Sequence, residues 1–421
     1  MSEYMGVRPV SLYLHFPFCE RKCRYCDFLS GPAGEKTREE YIDLLCREIE
    51  LRAREIRRAA DGSQQADACS SPAQSGAAVD SVFIGGGTPS LMTPAQAARV
   101  METIRSCIPV LPDAEISMEV NPGTVSPEKL RGFKAAGIGR LSIGVQSFDD
   151  SELRLLGRIH TSAEARETFL AAREAGFANI NLDLMSALPG QNIETWSHTL
   201  EEAVSLGPEH ISAYSLIIEE GTPLASLLDA GKLPDLPSEE EDRRMYHFTK
   251  QFLASKGYRR YEISNYAKKG YECRHNCGYW TGHEYLGLGL GASSCLGDER
   301  FRNPDKMDEY RTAVMSMNDH NSAETMRRER QRLTQKDRME EFMFLGLRMT
   351  EGVSESEFER RFGVSPEDVF GSVIHRHLDQ KVISRIPVNV TGSSDDGSDF
   401  RISLTEYGLD VANYVMADYL L

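Results

Sequence analysis

Short apolar segments alternate with longer amphipathic segments between residue 10 and about residue 216. Six apolar segments are strand-like, and each is followed by residues with helical periodicity. The strand-like segments are 11–14, 81–84, 116–120, 141–145, 179–184 and 210–216. Six strand–helix units predict parallel strands with right-handed crossovers. The uniform repeat favours an α/β fold with a partial (β/α)6 barrel, and a doubly wound sheet is the alternative.

The segment after the first strand has a clear helical pattern. Thr37 and Glu40 form a capping-box pattern, which predicts a helix start. One face of this helix is apolar: Ile42, Leu45, Ile49, Ala53 and Ile56. The small and polar residues that follow cannot pack a core, so we expect a flexible insertion near residues 60–79.

The pattern changes after residue 216 and divides the chain into three expected regions. Residues 1–235 form the barrel, and residues 236–330 form a connecting region that contains the segment His275-Asn276-Cys277-Gly278-Tyr279-Trp280. An acidic helix over 238–256 and a strand over 258–263 are expected in this connecting region. Residues 331–421 form a small C-terminal α+β domain.

The C-terminal domain has the element order of a winged helix. After a first helix, Ser354 and Glu357 predict a second capping box, and Ser365-Pro366 predicts another helix start. Strands are expected over 381–386 and 400–404. The loop between these strands carries Asp395, Asp396 and Asp399, where binding to phosphate would need Lys or Arg. A structural or docking role is therefore favoured over DNA binding.

Composition and charge narrow the function classes. The 421 residues are 40% hydrophobic and carry a formal net charge of −16, which disfavours nucleic acid and anionic membranes as partners. No signal peptide and no transmembrane segment is recognisable. We therefore expect a cytoplasmic protein whose cysteines outside the motif described next are reduced thiols.

Three cysteines carry the strongest chemical signal. Cys19, Cys23 and Cys26 have C-x3-C-x2-C spacing, which lets one loop supply three thiolates to a [4Fe-4S] cluster and leaves the fourth iron open. S-adenosylmethionine can chelate that iron through its amino and carboxylate groups. The alternatives are a zinc site and ordinary buried thiols, but a structural zinc site needs four ligands. No fourth Cys or His follows Cys26 at a distance suitable for a zinc site. His15 is close in sequence but lies before the loop.

Polar residues at the ends of the predicted strands form a candidate cofactor site. Side chains at the carboxyl ends of parallel strands converge in a barrel. The candidates are the glycines and threonine of the 85–89 turn (Gly86, Gly87, Thr88) and the residues near later strands (Glu119, Gln146, Arg158, Asp183). Carboxylates suit an ammonium group or ribose hydroxyls, and arginine suits a carboxylate. Alternatively, each residue only caps a helix or pairs at the barrel rim.

Several motifs in the same order resemble the HemW branch of the oxygen-independent coproporphyrinogen III oxidase-like radical SAM proteins. They include Tyr13 and His15 before Cys19, the run Gly85-Gly-Gly-Thr-Pro89, Glu119-Val-Asn-Pro122, Leu188-Pro-Gly-Gln191 and His275-Asn276 with Tyr279-Trp280. By this resemblance Cys19, Cys23 and Cys26 bind the cluster. The implied S-adenosylmethionine contacts are Tyr13, Tyr25, Gly86, Gly87, Thr88, Glu119, Gln146, Arg158 and Asp183.

The same resemblance implies a role in heme handling. The oxidases have a fourth cysteine where this chain has Phe28, which favours a heme chaperone with heme as cargo over a coproporphyrinogen oxidase. The implied partners are a heme-acceptor protein and an electron donor such as a flavodoxin or ferredoxin. A radical SAM enzyme that acts on a tetrapyrrole is the alternative. His275 is a candidate heme neighbour, although hydrogen bonding within its own segment is the favoured interpretation.

Overall fold

The computed structural model describes residues 8–61, 76–318, 322–388 and 399–420. The chain divides into two compact units. The barrel unit comprises Met1–Gly257 and Glu284–Gln331, and the tail unit comprises Tyr258–His283 and Arg332–Leu421. Residues 236–330, which we expected to connect two domains, are therefore shared between the two units.

The strands and helices are numbered in chain order. The strands are β1 (Arg8–Phe16), β2 (Phe18–Cys19), β3 (Gly31–Pro32), β4 (Ala77–Gly86), β5 (Val110–Val120), β6 (Arg140–Gln146), β7 (Asn179–Ser186), β8 (His210–Ser215), β9 (Arg259–Arg260), β10 (Asn265–Ala267), β11 (Tyr285–Leu288), β12 (Ser293–Leu296), β13 (Glu299–Arg302), β14 (Arg328–Arg332), β15 (Val353–Ser354), β16 (Ile383–Val388) and β17 (Asp399–Leu404). The α-helices are α1 (Glu35–Asp61), α2 (Pro94–Cys107), α3 (Pro127–Ala135), α4 (Asp150–Leu156), α5 (Ser162–Glu174), α6 (Ile193–Ser205), α7 (Pro223–Asp229), α8 (Glu239–Ser255), α9 (Arg274–Trp280), α10 (Met307–Ser316), α11 (Ser322–Met326), α12 (Gln335–Gly346), α13 (Glu355–Phe362), α14 (Pro366–Asp379), α15 (Glu406–Asp410) and α16 (Ala412–Ala417).

Six parallel strands form the centre of the barrel unit. Their order is β1-β4-β5-β6-β7-β8, and each neighbouring pair is parallel. These are the six strands that the apolar pattern predicts. At least one helix follows each strand, and buried apolar residues such as Leu141, Ile143 and Val145 of β6 fill the core. The partial (β/α)6 barrel is therefore confirmed.

The sheet continues beyond the predicted repeat. β11 pairs in parallel with β1, so that Ser11 lies opposite Tyr285 and Leu14 opposite Leu288. β12, β13 and β14 follow β11 in the sheet order. Strands β11, β12 and β13 therefore belong to the barrel sheet, although we expected residues 236–330 to form a connecting region. Gly287 is essential to this strand, because a Cβ there would lie 2.1 Å from the carbonyl oxygen of Ser293.

Two local predictions near α1 need correction. The helix begins at Glu35, and the Arg38 amide donates to the Gly34 carbonyl at 3.1 Å. Thr37 and Glu40 therefore lie inside the helix and form no capping box. Residues 60–61 belong to α1, and β4 begins at Ala77. The rest of the expected insertion, residues 62–75, lies outside the described residues.

The tail unit has the order α12, β15, α13, α14, β16, β17, which matches the winged-helix prediction. β17 lies between β15 and β16 in an antiparallel sheet. Ser365 caps α14 in a capping box with Asp368. Ser354 caps α13 by accepting from the Glu357 amide, but the Glu357 carboxylate binds Arg360 and Arg361, so only half of the predicted box forms.

Two further expectations concern the residues before the tail helices. The acidic helix is confirmed as α8, with Ser238 as its N-cap and Lys256 as its C-cap. The strand expected over 258–263 is limited to β9, because the carboxylate of buried Glu262 accepts the Ser264 amide at 2.9 Å and turns the chain.

Asp395 and Asp396, in the loop between the two C-terminal strands, lie outside the described residues. None of the helices in the described ranges is long and apolar enough to cross a bilayer.

Candidate metal centre and cofactor site

The three motif cysteines lie in one loop directly after β1. Cys19 is buried in β2, and Cys23 and Cys26 are partly exposed. The Cys26 amide donates to the Cys23 carbonyl at 3.4 Å. β2 pairs with β3, with Cys19 opposite Pro32, and this pairing closes the base of the loop. The loop therefore begins and ends at a fixed point beside the first barrel strand.

The end of α4 anchors the middle of the cysteine loop. The Arg24 amide donates to the Leu156 carbonyl at 3.0 Å, and the Arg21 guanidinium donates to the Gly157 carbonyl at 3.0 Å. Gly157 ends α4 in the left-handed conformation, with φ of 75°. A Cβ at this position would lie 2.9 Å from Cγ of Arg24. Glycine therefore permits both the helix end and the close approach of the loop.

Buried Arg158 connects the cysteine loop to two strand ends. Its Nη1 donates to Sγ of Cys23 at 3.4 Å, and its Nη2 donates to Oδ1 of Asn121 at 2.8 Å. Nδ2 of Asn121 donates in turn to Oγ1 of Thr88 at 2.9 Å. Within the described residues, Nε of Arg158 is buried and has no hydrogen-bond partner. A cation with an unused N–H therefore lies beside the cysteines, as an anionic ligand would require.

The glycine run after β4 lets two backbone segments approach closely. Gly86 has φ of 114°, and a Cβ there would lie 2.7 Å from Cε1 of His15. A Cβ at Gly87 would lie 2.6 Å from the carbonyl oxygen of Phe18. The Gly87 amide donates to the Phe16 carbonyl at 2.8 Å. The run therefore lies directly against the strand that leads into the cysteine loop.

Glu119 and Asp183 form a buried acidic pair inside the barrel. Burial raises the pKa of Glu119 to about 8, the nearby Asp183 carboxylate adds to the rise, and a hydrogen bond from the Gly86 amide opposes it. Burial also raises the pKa of Asp183, against hydrogen bonds from Asn181 and Ser142. Glu119 is thus mostly protonated at neutral pH in the free protein. A cationic ligand at this position would favour its ionised form.

Tyr13 and Tyr25 approach the site from β1 and from the cysteine loop. The Tyr13 hydroxyl is 3.0 Å from Nδ1 of His15, and Nε2 of His15 donates to the Leu29 carbonyl at 2.8 Å. Tyr25 packs against the Leu156, Met185 and Leu188 cluster. Burial raises the pKa of Tyr25, although the positive charge of Arg158 opposes the rise. Its phenol therefore stays neutral.

Gln146 ends β6 in an unusual conformation. Its φ is 69°, which is the left-handed region. A Cβ on Gly144 would lie 3.1 Å from Nε2 of Gln146, 3.0 Å from Oδ1 of Asn121 and 3.4 Å from Nη2 of Arg158. These three polar groups therefore meet above Gly144, at the carboxyl end of the sheet.

The residues present suit a cluster better than a single metal ion. In the part of the chain that the structure describes, no group of three or more His, Cys, Asp or Glu side chains could hold one metal ion. A [4Fe-4S] cluster instead takes each thiolate on a different iron, so its ligands lie farther apart than those of one ion. Burial raises the pKa of the Cys26 thiol. The Arg158 guanidinium beside Cys23 is the kind of donor that stabilises cluster sulfur.

The structure also brings together residues that the sequence analysis did not name as cofactor contacts. Asn121 joins Thr88 to Arg158, and His15 joins Tyr13 to the end of the cysteine loop. Beneath Asp183, the side chains of Ser142, Asn181 and His210 form a buried hydrogen-bonded row. The sequence signal that could have identified these residues is the presence of polar side chains within otherwise apolar strands.

His275 lies apart from these residues in sequence and belongs to the tail unit. It is buried in α9, its Nε2 is 2.9 Å from the Tyr279 hydroxyl, and the two rings make an edge contact at 5.0 Å. This contact fits the interpretation of His275 as a residue that hydrogen-bonds within its own segment. Cys273 is the N-cap of α9, and Cys277 lies within that helix.

Comparison with known families matches two parts of the chain. Residues 71–203 match the radical SAM superfamily, and residues 333–388 match the HemN C-terminal domain. Heme chaperone HemW of Bacillus subtilis (strain 168) is 36% identical over 86% of this chain and 90% of that protein. Heme chaperone HemW of Lactococcus lactis subsp. lactis is 32% identical over 98% of both chains.

A mitochondrial relative and a solved structure extend the comparison. Radical S-adenosyl methionine domain-containing protein 1, mitochondrial, of Danio rerio is 34% identical over 83% of this chain and 75% of that protein. The solved structure of coproporphyrinogen III oxidase (HemN) from Escherichia coli, a radical SAM enzyme, has a TM-score of 0.77. It is 24% identical and covers 98% of this chain and 90% of that chain, which shows a shared fold.

Proposed function

Because this chain belongs to the HemW family of radical SAM proteins, we propose that it binds a [4Fe-4S] cluster and S-adenosylmethionine in the barrel and delivers heme to an acceptor protein. The observation that carries the proposal is the anchored cysteine loop beside Arg158, together with full-length relatives that are named heme chaperones. Heme is the cargo in this proposal and not a resident cofactor.

Cys19, Cys23 and Cys26 would hold three irons, and the fourth iron would bind S-adenosylmethionine. When bound, the two cofactors supply one-electron cleavage of the sulfonium to a 5′-deoxyadenosyl radical. Tyr13, Tyr25, Gly86, Gly87, Thr88, Glu119, Gln146, Arg158 and Asp183 would contact S-adenosylmethionine. An electron donor such as a flavodoxin or ferredoxin would reduce the cluster.

Three of these residues illustrate how the site would suit S-adenosylmethionine. Arg158 has an unused buried N–H for a carboxylate, and Gly87 lets the turn after β4 lie directly against Phe18 beside the cysteine loop. Glu119 would lose its proton when an ammonium group binds beside it, because its pKa of about 8 reflects burial without a cationic partner. The site therefore favours a ligand that carries both a carboxylate, which Arg158 would bind, and an ammonium group, which Glu119 would bind.

Heme delivery rather than porphyrinogen oxidation fits the residue at position 28. Phe28 is 66% exposed at the end of the cysteine loop, where the oxidases have a further cysteine. The acceptor is a protein that takes up heme, and the proposed location is the cytoplasm. Nucleic acid is not a proposed partner, since the net charge is −16.

The test is an anaerobic reconstitution of the full chain with iron and sulfide. The reduced protein is incubated with S-adenosylmethionine and, in separate reactions, with heme or coproporphyrinogen III. Bound heme, 5′-deoxyadenosine and tetrapyrrole products are then quantified. Stoichiometric heme binding without porphyrinogen turnover is the expected result. Turnover of either tetrapyrrole in proportion to 5′-deoxyadenosine would make the protein an enzyme instead.

A further inference from the structure

The end of β6 is bulged where it reaches the cofactor site. Gly144 lies opposite Asp183 and Gln146 lies opposite Leu184 in β7, so Val145 has no partner in that register. A bulge of this kind turns the following side chain in a new direction. Gln146 then takes its left-handed φ of 69°, which side chains other than glycine adopt only when their surroundings hold them there.

Two side chains from one short segment bind the carbonyl groups of this bulge. Nη2 of Arg158 donates to the Gly144 carbonyl at 2.6 Å, and Nε2 of His160 lies 3.1 Å from the Val145 carbonyl. A carbonyl can only accept, so Nε2 of His160 carries the hydrogen. The bulge is therefore bound on two successive residues immediately before Gln146.

His160 is set up for this single contact. It is buried, and Nδ1 has no hydrogen-bond partner among the described residues. Burial and the charge of Arg158 lower the pKa of His160 to about 4, so the ring is neutral in the physiological range. A buried acceptor without a donor is costly. The Nε2 contact with the Val145 carbonyl is therefore the polar contact that offsets part of this cost.

We propose that His160 is a positioning residue that acts through Gln146. By binding the Val145 carbonyl, it keeps the bulge and the left-handed backbone, and so keeps the Gln146 amide beside Asn121 and Arg158. The inference rests on the proposed function, because it takes Gln146 to contact S-adenosylmethionine. His160 itself touches neither the cysteines nor the cofactor in this proposal.

The experiment uses the reconstituted, reduced holoprotein. S-adenosylmethionine is titrated while the electron paramagnetic resonance signal of the cluster is recorded, and heme binding is measured separately by absorbance. His160→Leu should weaken S-adenosylmethionine binding about tenfold, because it removes one hydrogen bond that orients a ligand contact. His160→Gln restores an N–H donor and should bind within about threefold of wild type. Leu170→Ala, at an exposed position of α5, is the control and should bind like wild type.

A double-mutant cycle separates positioning from general loss of structure. Gln146→Ala should weaken binding, and adding His160→Leu should then weaken it little further. Additive losses would overturn the inference, as would a His160→Leu protein with the wild-type affinity and signal. Iron content and heme binding should be unchanged in all variants. If His160→Leu does not retain its cluster, His160→Asn, which keeps a polar side chain but is shorter, replaces it in the cycle.

The same data distinguish failure of this inference from failure of the proposed function. If S-adenosylmethionine leaves the cluster signal of the wild-type protein unchanged, the proposed function fails. If the wild type responds and the His160 variants respond equally, only the positioning role fails.

Discussion

The barrel unit contains an arginine–carboxylate pair whose two side chains are both fully buried, whereas the pair of Arg385 and Glu355 in the tail unit is partly exposed. In the barrel unit, the side chains of Arg52 and Glu48 are both 0% exposed and 3.1 Å apart. In the tail unit, Arg385 pairs with Glu355 while 41% of the arginine side chain is exposed. The tail core is built mainly from apolar and aromatic side chains, including Phe358, Phe370 and Tyr419.

The buried pair in the barrel unit fixes the position of α1 relative to the strands. A buried charge is costly unless each N–H and oxygen finds a partner. Arg52 also donates to Asn303 and to the Gly287 carbonyl, and Glu48 accepts from the Gly289 amide and the Tyr310 hydroxyl. These bonds fix α1 to the end of β11, which flanks β1. Burial of apolar and aromatic side chains in the tail unit gives stability without a network of charged groups that must all be paired.

The largest expected effect is on the metal content. Replacing Cys19, Cys23 and Cys26 together by Ala should reduce iron and sulfide from about four each per chain to near zero, because it removes the three thiolates that would hold the cluster. Iron and sulfide analysis after anaerobic reconstitution measures this. Cys277→Ala in the tail unit is the matched control and should keep its full cluster. Equal iron in the triple variant and the wild type would contradict the assignment.

The next largest effect is on the stability of the barrel unit. Arg52→Ala should lower the free energy of unfolding by about 3–5 kcal/mol, because it leaves Glu48 buried without its cation and leaves Glu55 with Arg327 as its remaining cation. Denaturant unfolding of the metal-free protein, followed by tryptophan fluorescence and circular dichroism, measures the loss. A change below about 1 kcal/mol, the level of an exposed pair, would show that the network adds little.

The third effect is a change in pH dependence. The folded pKa of Glu119, about 8, lies above its ordinary value of 4.5, so its contribution to stability is complete below pH 4.5 and is lost as pH rises to 8. The slope for one proton is about 1.4 kcal/mol per pH unit. Glu119→Gln should flatten the decline in unfolding free energy between pH 5 and pH 8. Glu128→Gln, at an exposed helix start where the pKa is lowered, should leave that slope unchanged. Parallel slopes in the wild type and Glu119→Gln would refute the buried-carboxyl interpretation.

The smallest effect is expected in the tail unit. Arg385→Ala should change the free energy of unfolding by less than about 1 kcal/mol, because its pair with Glu355 is partly exposed to water. The same unfolding experiment, run beside Arg52→Ala, measures both ends of the comparison. A loss as large as that of Arg52→Ala would remove the distinction between the two units.

Much of the barrel could be predicted because each central strand is a short segment rich in apolar residues and is followed by residues with helical periodicity. β11 could not, since Leu286 and Leu288 alternate with Gly287 and Gly289 and its pairing partner β1 lies about 270 residues earlier. The capping-box prediction at Thr37 failed because Gly34 already accepts the first helical hydrogen bond. Sequence spacing does not show which of several polar residues begins a helix.

The candidate site was predictable to a similar extent. The rule that strand ends converge selected Glu119, Arg158 and Asp183, which the structure places around one region of the barrel. It did not select Asn121 or His15, because their importance depends on the partner that each meets across the sheet. Contact of these residues with S-adenosylmethionine stays a prediction.

The pairing of β11 with β1 has a consequence for biosynthesis. β1 leads directly into the cysteine loop, yet one of its two neighbouring strands is Tyr285–Leu288. Until that segment has left the ribosome, one edge of β1 has unpaired backbone groups. A cluster inserted into a shorter nascent chain would meet an incompletely supported loop. The chain order therefore sets the earliest point during translation at which the complete metal centre can form.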